Sequence, residues 1–519
     1  MKLSLQNLPE LKGKGYAVPA FDVAAMRKRT SAAPRWIHFG AGNILRAFPA
    51  VLQQRLLDAG QTDTGLCVAE CYDEEIIDLG FAPFDNLTAA VSLKHDGSVG
   101  KRVVASVAEA LACSRDDTRI AEIMTADSLQ IVSMTITEKG YTVKEPHTEQ
   151  FARPKSIIAR LCRLLYLRFV SGAHPVAMLS LDNCSHNGDL LRSGILAVAE
   201  GWWNTRAVGD GFLEYLRDPA RVSFPWSMID KITPRPSEDV LCMLKADGLE
   251  DINIAQTGRH TFVSAMVNAE ECEYLAIEDS FPNGRPPLES TGVIFTDRET
   301  VDKIEKMKVC TCLNPLHTAL AVFGCLFGYT KISSEMRDDT LVRMIREIGY
   351  TEGMPVAVDP GVISAQAFID EVVNKRFPNP FVPDTPQRIA CDSSKKLPVR
   401  FGETLKAWVA RGKDDLSFLS MIPMVFAGYA RYLTAVGDDG KPFALSPDPN
   451  LEELQKLVAG YELGKPFETR RLRPLFENPG YCGVNLYEHG LGDKAEAFFA
   501  GMNAGPGAVR DTVNRHLRQ

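Results

Sequence analysis

The segment from Arg35 to Cys71 constrains this chain more than any other. A short apolar run, RWIHF, passes directly into GAGNILRAFPAVLQQRLLDAG and then into GLCVAEC. The first run reads as a buried strand. In the second, Ile44, Leu45, Phe48, Val51, Leu52 and Leu56 recur at helical spacing, and Gly60 ends the helix. Gly65–Cys71 reads as another strand. A strand, a glycine turn, a helix and a strand of this length predict a parallel βαβ crossover.

The turn is Gly40-Ala41-Gly42-Asn43-Ile44-Leu45-Arg46 and lacks the third glycine of GxGxxG. Two readings stand side by side. The glycines let the backbone approach a pyrophosphate at a helix start, or they make a tight strand-to-helix turn that binds nothing. Glu70, at the end of the second strand, is the candidate acceptor for an adenine ribose, with Asp73 as its competitor.

At 519 residues the chain exceeds one compact core, and further elements divide it. Leu129–Thr137 and Pro175–Leu181 read as strands ending in the polar loops EKGY and DNCSHNG, with a helix over Lys155–Val170 between them. In an open parallel sheet ligands collect at the carboxyl ends of the strands, so these loops and the glycine turn are expected to face one cleft. Thr261–Ile277 suggests further strands. From about Arg298 long helical patterns dominate: Thr300–Tyr329, Met336–Ile348, Ile363–Lys375, Pro398–Arg411, Leu416–Thr434, Leu451–Glu462 and Asp493–Met502. The expected fold class is α/β: a mostly parallel sheet domain over 1–298 and a mainly helical domain over 299–519.

Charge and cysteines narrow the function. A formal net charge of -8 gives no general basic footprint for nucleic acid or anionic membrane. The start, MKLSLQNLPELKGKG, lacks the apolar core of a secretory signal, and the apolar runs Leu316–Tyr329 and Phe418–Tyr432 are shorter than a membrane span. A cytoplasmic protein is expected. Of the 12 cysteines, only Cys67/Cys71 and Cys310/Cys312 lie close together, without a repeated CxxC framework. Most therefore read as small buried hydrophobes, and no metal site is expected.

Polar residues then stand out against apolar surroundings. In KVCTCLNPLHTALAVFGCLFGY, Asn314 and His317 share a helix face, and Lys308 precedes them. Asn314 as a helix cap with Pro315 in the first turn, and His317 as a satisfied core histidine, form one reading. The other is catalytic: a desolvated lysine can exchange protons near neutral pH, and asparagine amides donate to a developing alkoxide. Asp182-Asn183, His186 and Asn187 in SLDNCSHNG, and Asp230 in FPWSMIDKITP, follow apolar strand-like segments, where turn formation is the competing role. Arg388, Lys395, Lys396 and Arg400 in DTPQRIACDSSKKLPVR form either a solvated basic helix or a pocket for an anionic or polyhydroxylated ligand.

Taken in order, LPEL, IHFGAGNILRAF, SMTITEKGY, SLDNCSHNG, FPWSMIDKITP, CLNPLHTAL, RFPNP and DTPQRIACDSSKKLPVR resemble the mannitol dehydrogenase family of polyol-specific long-chain dehydrogenases. The resemblance implies a Rossmann-type first domain, a helical second domain, a site between them, and metal-independent hydride transfer with NAD, NADP being the less favoured cofactor. Carried over by position, Lys308 corresponds to the acid/base and Asn183 and Asn314 to the pair holding the substrate oxygen. His317, grouped with the catalytic residues, and Asp230, Arg388 and Lys396 would contact substrate hydroxyls or the far end of the chain. Phe39, Gly40, Ala41, Gly42, Asn43, Glu70, Thr137 and Glu138 would bind the cofactor. Lys139 stands where polyol enzymes of the family carry glycine and its fructuronate reductase (mannonate oxidoreductase) branch carries lysine. An added cation suits a substrate carboxylate. The resemblance thus implies interconversion of D-fructuronate and D-mannonate. A polyol 2-dehydrogenase acting on mannitol or arabitol is the alternative, and a non-catalytic dinucleotide-binding regulator is the alternative of another class.

One departure bears on the chemistry. Family members place the lysine five residues before the asparagine, whereas Lys308 stands six before Asn314. A bulge in the helix or in the loop ahead of Pro315 would absorb the extra residue; otherwise Lys306 or Lys303 would supply the amine.

Overall fold

The computed structural model describes residues 1–518. They form two compact units, Met1–Asp302 and Lys303–Gln519. In the first, six strands lie parallel: β1 (Trp36–Phe39), β2 (Leu66–Glu70), β3 (Val107–Ala112), β4 (Ile131–Met134), β5 (Val176–Ser180) and β6 (Val222–Ser223). Their order is β3-β2-β1-β4-β5-β6. This is the doubly wound dinucleotide-binding order, which reverses direction between β1 and β4.

Every residue of β1, β2, β4 and β5 is buried, as both faces of a parallel sheet require. Alternate side chains serve opposite layers. Ile37 and Phe39 pack with the helices Ile157–Val170 and Asn187–Asn204, while Trp36 packs with the helix Pro49–Asp58. His38, fully buried on β1, is satisfied by Ser133 Oγ at 2.7 Å and Thr135 Oγ1 at 3.0 Å, and burial lowers its pKa to about 3.

Between Cys71 and Leu129 the sequence reading places no strand, yet the structure has three. β3 has the sequence VAEALA, rich in helix formers. It is nonetheless extended because it extends the sheet by pairing with β2, and tertiary pairing overrides weak local preference. Thr88–Leu93 and Val99–Val104 form an antiparallel hairpin, closed by a turn in which Gly97 takes φ +84°. The Asp96-Gly97 pair was its legible signal. The cysteine reading also changes. Cys71 and Cys113, 42 residues apart, end neighbouring strands and are joined as a disulfide, while ten other cysteines are free.

The second unit is helical. Its central helix, Asn314–Leu326, is buried on almost every side, and the helix Met421–Tyr432 is buried throughout. The two approach closely: a Cβ on Gly428 would stand 2.5 Å from the Phe323 ring. The expected continuous helix over Thr300–Tyr329 is interrupted. Arg298–Met307 is α-helical, Lys308–Cys312 forms a π-turn, and α-helix resumes at Asn314. Asn314 is not the cap, because Leu313 occupies that position and no side chain caps the helix. Three further π-turns, Glu347–Gly353, Val372–Arg376 and Pro398–Gly402, occur among the described residues. The stretch Arg298–Leu326 is long and apolar enough to cross a membrane, but 72% of its most apolar window is buried, as in a core helix.

Candidate active site

The first unit gathers its polar groups at the carboxyl ends of the strands. Gly40 takes φ +111°, and a Cβ there would stand 2.5 Å from the Thr135 carbonyl oxygen, so only glycine fits. Gly42 is different. Its φ of -72° is open to any residue, and a Cβ would meet nothing within 4 Å. Neither backbone nor packing demands glycine there. The backbone at Gly42 is therefore open to close approach, as a phosphate-binding turn requires. The Phe39 side chain is buried in the core. Ala41 is buried, and Asn43 is tied to the Pro234 carbonyl at 3.1 Å.

Glu70 ends β2 as expected, but its carboxylate also shapes the protein. It accepts from the backbone N–H of Ala41 (2.8 Å), Tyr72 (2.8 Å) and Asp73 (3.1 Å). It therefore fastens the glycine turn to the loop after β2. Asp73 is occupied by the Thr257 hydroxyl at 2.6 Å.

The loops after β4 and β5 do meet, and Asp182 joins them. Its oxygens accept from Ile136 N–H (2.8 Å), Thr137 N–H (3.0 Å) and the Tyr141 hydroxyl (2.7 Å). The sequence reading treated Asp182 as a possible turn former; the structure makes it the clamp between two loops. Thr137 is held at φ +62°, ψ 159°, a region essentially reserved for glycine, and strain of this kind concentrates at functional loops. Thr137, Glu138 and Lys139 are exposed beside it, and Asn183 is exposed on the other loop. Asn187 is wholly internal: its amide donates to Asp182 O (3.0 Å) and Ser227 Oγ (2.9 Å) and accepts from Ser227 N–H (3.0 Å). That stitches the β5 loop to the strand ending in Asp230, which is 8% exposed. His186 stacks on Trp226 at 4.0 Å and reaches Asp302 at 3.1 Å.

The second unit gathers cations from other segments around His317 of its central helix. The π-turn is closed by Leu313 N–H donating to Lys308 C=O, five residues back, at 3.1 Å. The Lys308–Asn314 interval thus contains a π-turn, and Lys308 is buried at 3% exposure. His317 lies against Phe377 with its Nε2 3.5 Å from Asp384 Oδ2, and that nitrogen has no hydrogen-bond partner among the described residues. Burial, reinforced by Arg400, Arg388, Arg376 and Lys396, lowers the His317 pKa to about 3, so the ring is neutral. Asp384, 8% exposed, pairs with Arg388. Its carboxylate lies between His317 and Arg388, and sequence reasoning passed over it inside DTPQR. Lys395 is exposed, as the solvated-helix reading held. Lys396 and Arg400 are partly buried, and burial lowers both pKa values, that of Arg400 to about 10.

Comparison with known proteins bears on this arrangement. The Mannitol dehydrogenase Rossmann domain matches residues 34–290, and the Mannitol dehydrogenase C-terminal domain matches residues 300–466. The chain belongs to the mannitol dehydrogenase family. It is an oxidoreductase acting on a CH–OH group. D-mannonate oxidoreductase of Thermotoga maritima is 47% identical over 516 residues, covering 96% of this chain and 95% of that protein. D-arabinitol 4-dehydrogenase of Ralstonia nicotianae is 30% identical, covering 78% of this chain and 84% of the relative. Among solved structures, Pseudomonas fluorescens mannitol 2-dehydrogenase in ternary complex with NAD and D-mannitol aligns with TM-score 0.70, 26% identity and 99% coverage of both chains. The family setting and the open space at Gly42 agree on dinucleotide binding of the NAD type.

Proposed function

We propose that this chain interconverts D-fructuronate and D-mannonate with NAD(H), as a cytoplasmic enzyme. The observation that carries the reading is its 47% identity, over nearly the full length of both chains, to a D-mannonate oxidoreductase. The cationic surroundings of His317 fit a substrate that ends in a carboxylate.

In this reading a bound nicotinamide would supply hydride to the ketone carbon in reduction and take it from the carbinol carbon in oxidation. Lys308, which is buried, gives a proton to the carbonyl oxygen during reduction and takes it back during oxidation. Asn183 and Asn314 donate hydrogen bonds to that oxygen as negative charge develops. Neutral His317, with an unused ring nitrogen, serves a substrate hydroxyl, and Asp230 another. Arg388, Lys396 and Lys139 face the anionic end. Phe39 and Ala41 through their backbone, with Gly40, Gly42, Asn43, Thr137 and Glu138, surround the cofactor.

Glu70 supports NAD over NADP, because a buried anion at the end of β2 opposes a 2′-phosphate. Oxidation of NADH, and separately NADPH, with fructuronate, fructose and other ketoses tests the whole reading. Fructuronate with NADH should be the preferred pair. Far better turnover of mannitol or arabitol than of mannonate would replace it with the polyol 2-dehydrogenase. Dinucleotide binding with no turnover of any substrate would replace it with the regulator.

A further inference from the structure

The second unit contains two partly buried cations, Arg400 and Lys396, that form no ion pair among the described residues. Arg400 lies in the π-turn Pro398–Gly402. Its guanidinium donates to the Asn314 carbonyl at 3.4 Å and to the Thr318 hydroxyl, both on the first turn of the central helix, one on each side of His317 in sequence. Neither acceptor carries charge. Lys396 Nζ donates to the Ile389 carbonyl at 3.0 Å, again a neutral group. No carboxylate among the described residues forms an ion pair with either cation, whereas neighbouring Arg388 has Asp384. Asp392 offsets part of the charge on Lys396 from a distance, but Arg400 and Arg388 oppose it.

Two like charges withdrawn from water beside each other are costly unless an anion joins them. No carboxylate of the described residues pairs with either, and an anionic ligand would. We propose that Arg400 and Lys396 together form the receptor for the terminal carboxylate of the substrate, and that Arg400 decides between sugar acid and polyol. This rests on the reading of the His317 cluster as the substrate site. A guanidinium meets a carboxylate through two parallel N–H···O bonds, while an ammonium adds a point charge. A polyol offers only hydroxyls and would leave both charges uncompensated. The π-turn is what makes the placement: by widening one helical turn it changes the direction of Arg400 relative to a regular helix.

The test compares wild type, Arg400→Leu and Arg400→Lys in oxidising D-mannonate and D-mannitol, with equilibrium binding of each compound to the dinucleotide-saturated protein as a readout independent of turnover. Arg400→Leu should lower kcat/KM for mannonate by about 30- to 100-fold, chiefly through KM. Mannitol oxidation should fall by much less, so the preference ratio collapses, and Arg400→Lys should restore part of it. Should Arg400→Leu fail to fold by circular dichroism, Arg400→Gln carries the same comparison. An unchanged mannonate-to-mannitol preference in a folded variant overturns the proposal while leaving the uronate reading intact. Wild-type protein that binds mannonate through Arg400 without oxidising it would instead sink the uronate reading and keep the carboxylate receptor. Absence of mannonate binding and turnover together overturns both.

Discussion

Leu313 N–H donates to Lys308 C=O at 3.1 Å, closing a five-residue π-turn in the interval between the lysine and Asn314. The turn sets the position of Lys308 on the helix surface relative to Asn314 and His317. A second π-turn carries Arg400, and Thr404, just beyond it, donates its hydroxyl to the Cys310 carbonyl at 2.9 Å inside the first. The two irregular turns therefore support one another.

Lys308→Ala should lower kcat by about 100- to 10,000-fold, the usual span for loss of a general acid/base. NADH affinity, measured by fluorescence titration, should change less than a few-fold. Retained turnover would transfer the role to Lys306 or Lys303.

The two glycines of the turn should fail in different ways. Gly40→Ala forces a side chain against Thr135 at a backbone angle that alanine rarely adopts, and should cost stability by about 1–3 kcal/mol or more in urea unfolding. Gly42→Ala meets open space and should fold normally while weakening NADH binding. Equal stability losses in both would remove the argument for a ligand at Gly42.

His317 supplies a pH signature. Its pKa is about 3 in the fold against an ordinary 6.5, so the unfolded chain binds more protons between those values. Its contribution to stability is complete above pH 6.5 and is lost as pH falls towards 3. Wild type should lose stability over this window more steeply than His317→Asn, by at most ~1.4 kcal/mol per pH unit. Parallel stability–pH profiles would show that His317 titrates normally.

Asp182→Ala should release the Ile136 and Thr137 amides and let Thr137 leave its strained conformation. We expect a drop of roughly tenfold or more in kcat/KM with a smaller loss of thermal stability. Unchanged kinetics would mean that the held loop takes no part in catalysis.

Much of the candidate site was legible because its residue types follow elements with clear local patterns. Gly40 and Gly42 follow an apolar strand, Asn183 follows another, and His317 interrupts an apolar helix. What escaped were residues defined by distant partners. Asp384 matters through His317, and Asp182 through a loop some 45 positions earlier. β3 escaped because its composition favours helix, and the Cys71–Cys113 pair because only strand order makes those residues neighbours.

The sequence by itself determined the strand–turn–helix–strand unit and the helical texture of the second half, because apolar periodicity and glycine placement act over a few residues. Tertiary structure decided the β3-β2-β1 order, the π-turns, and which cations have partners. Those depend on hydrogen bonds and charges between segments far apart in the chain, where local spacing carries no information. Lys308 stands six residues before Asn314 in the sequence, and only the tertiary structure shows that a π-turn closed by Leu313 lies in that interval.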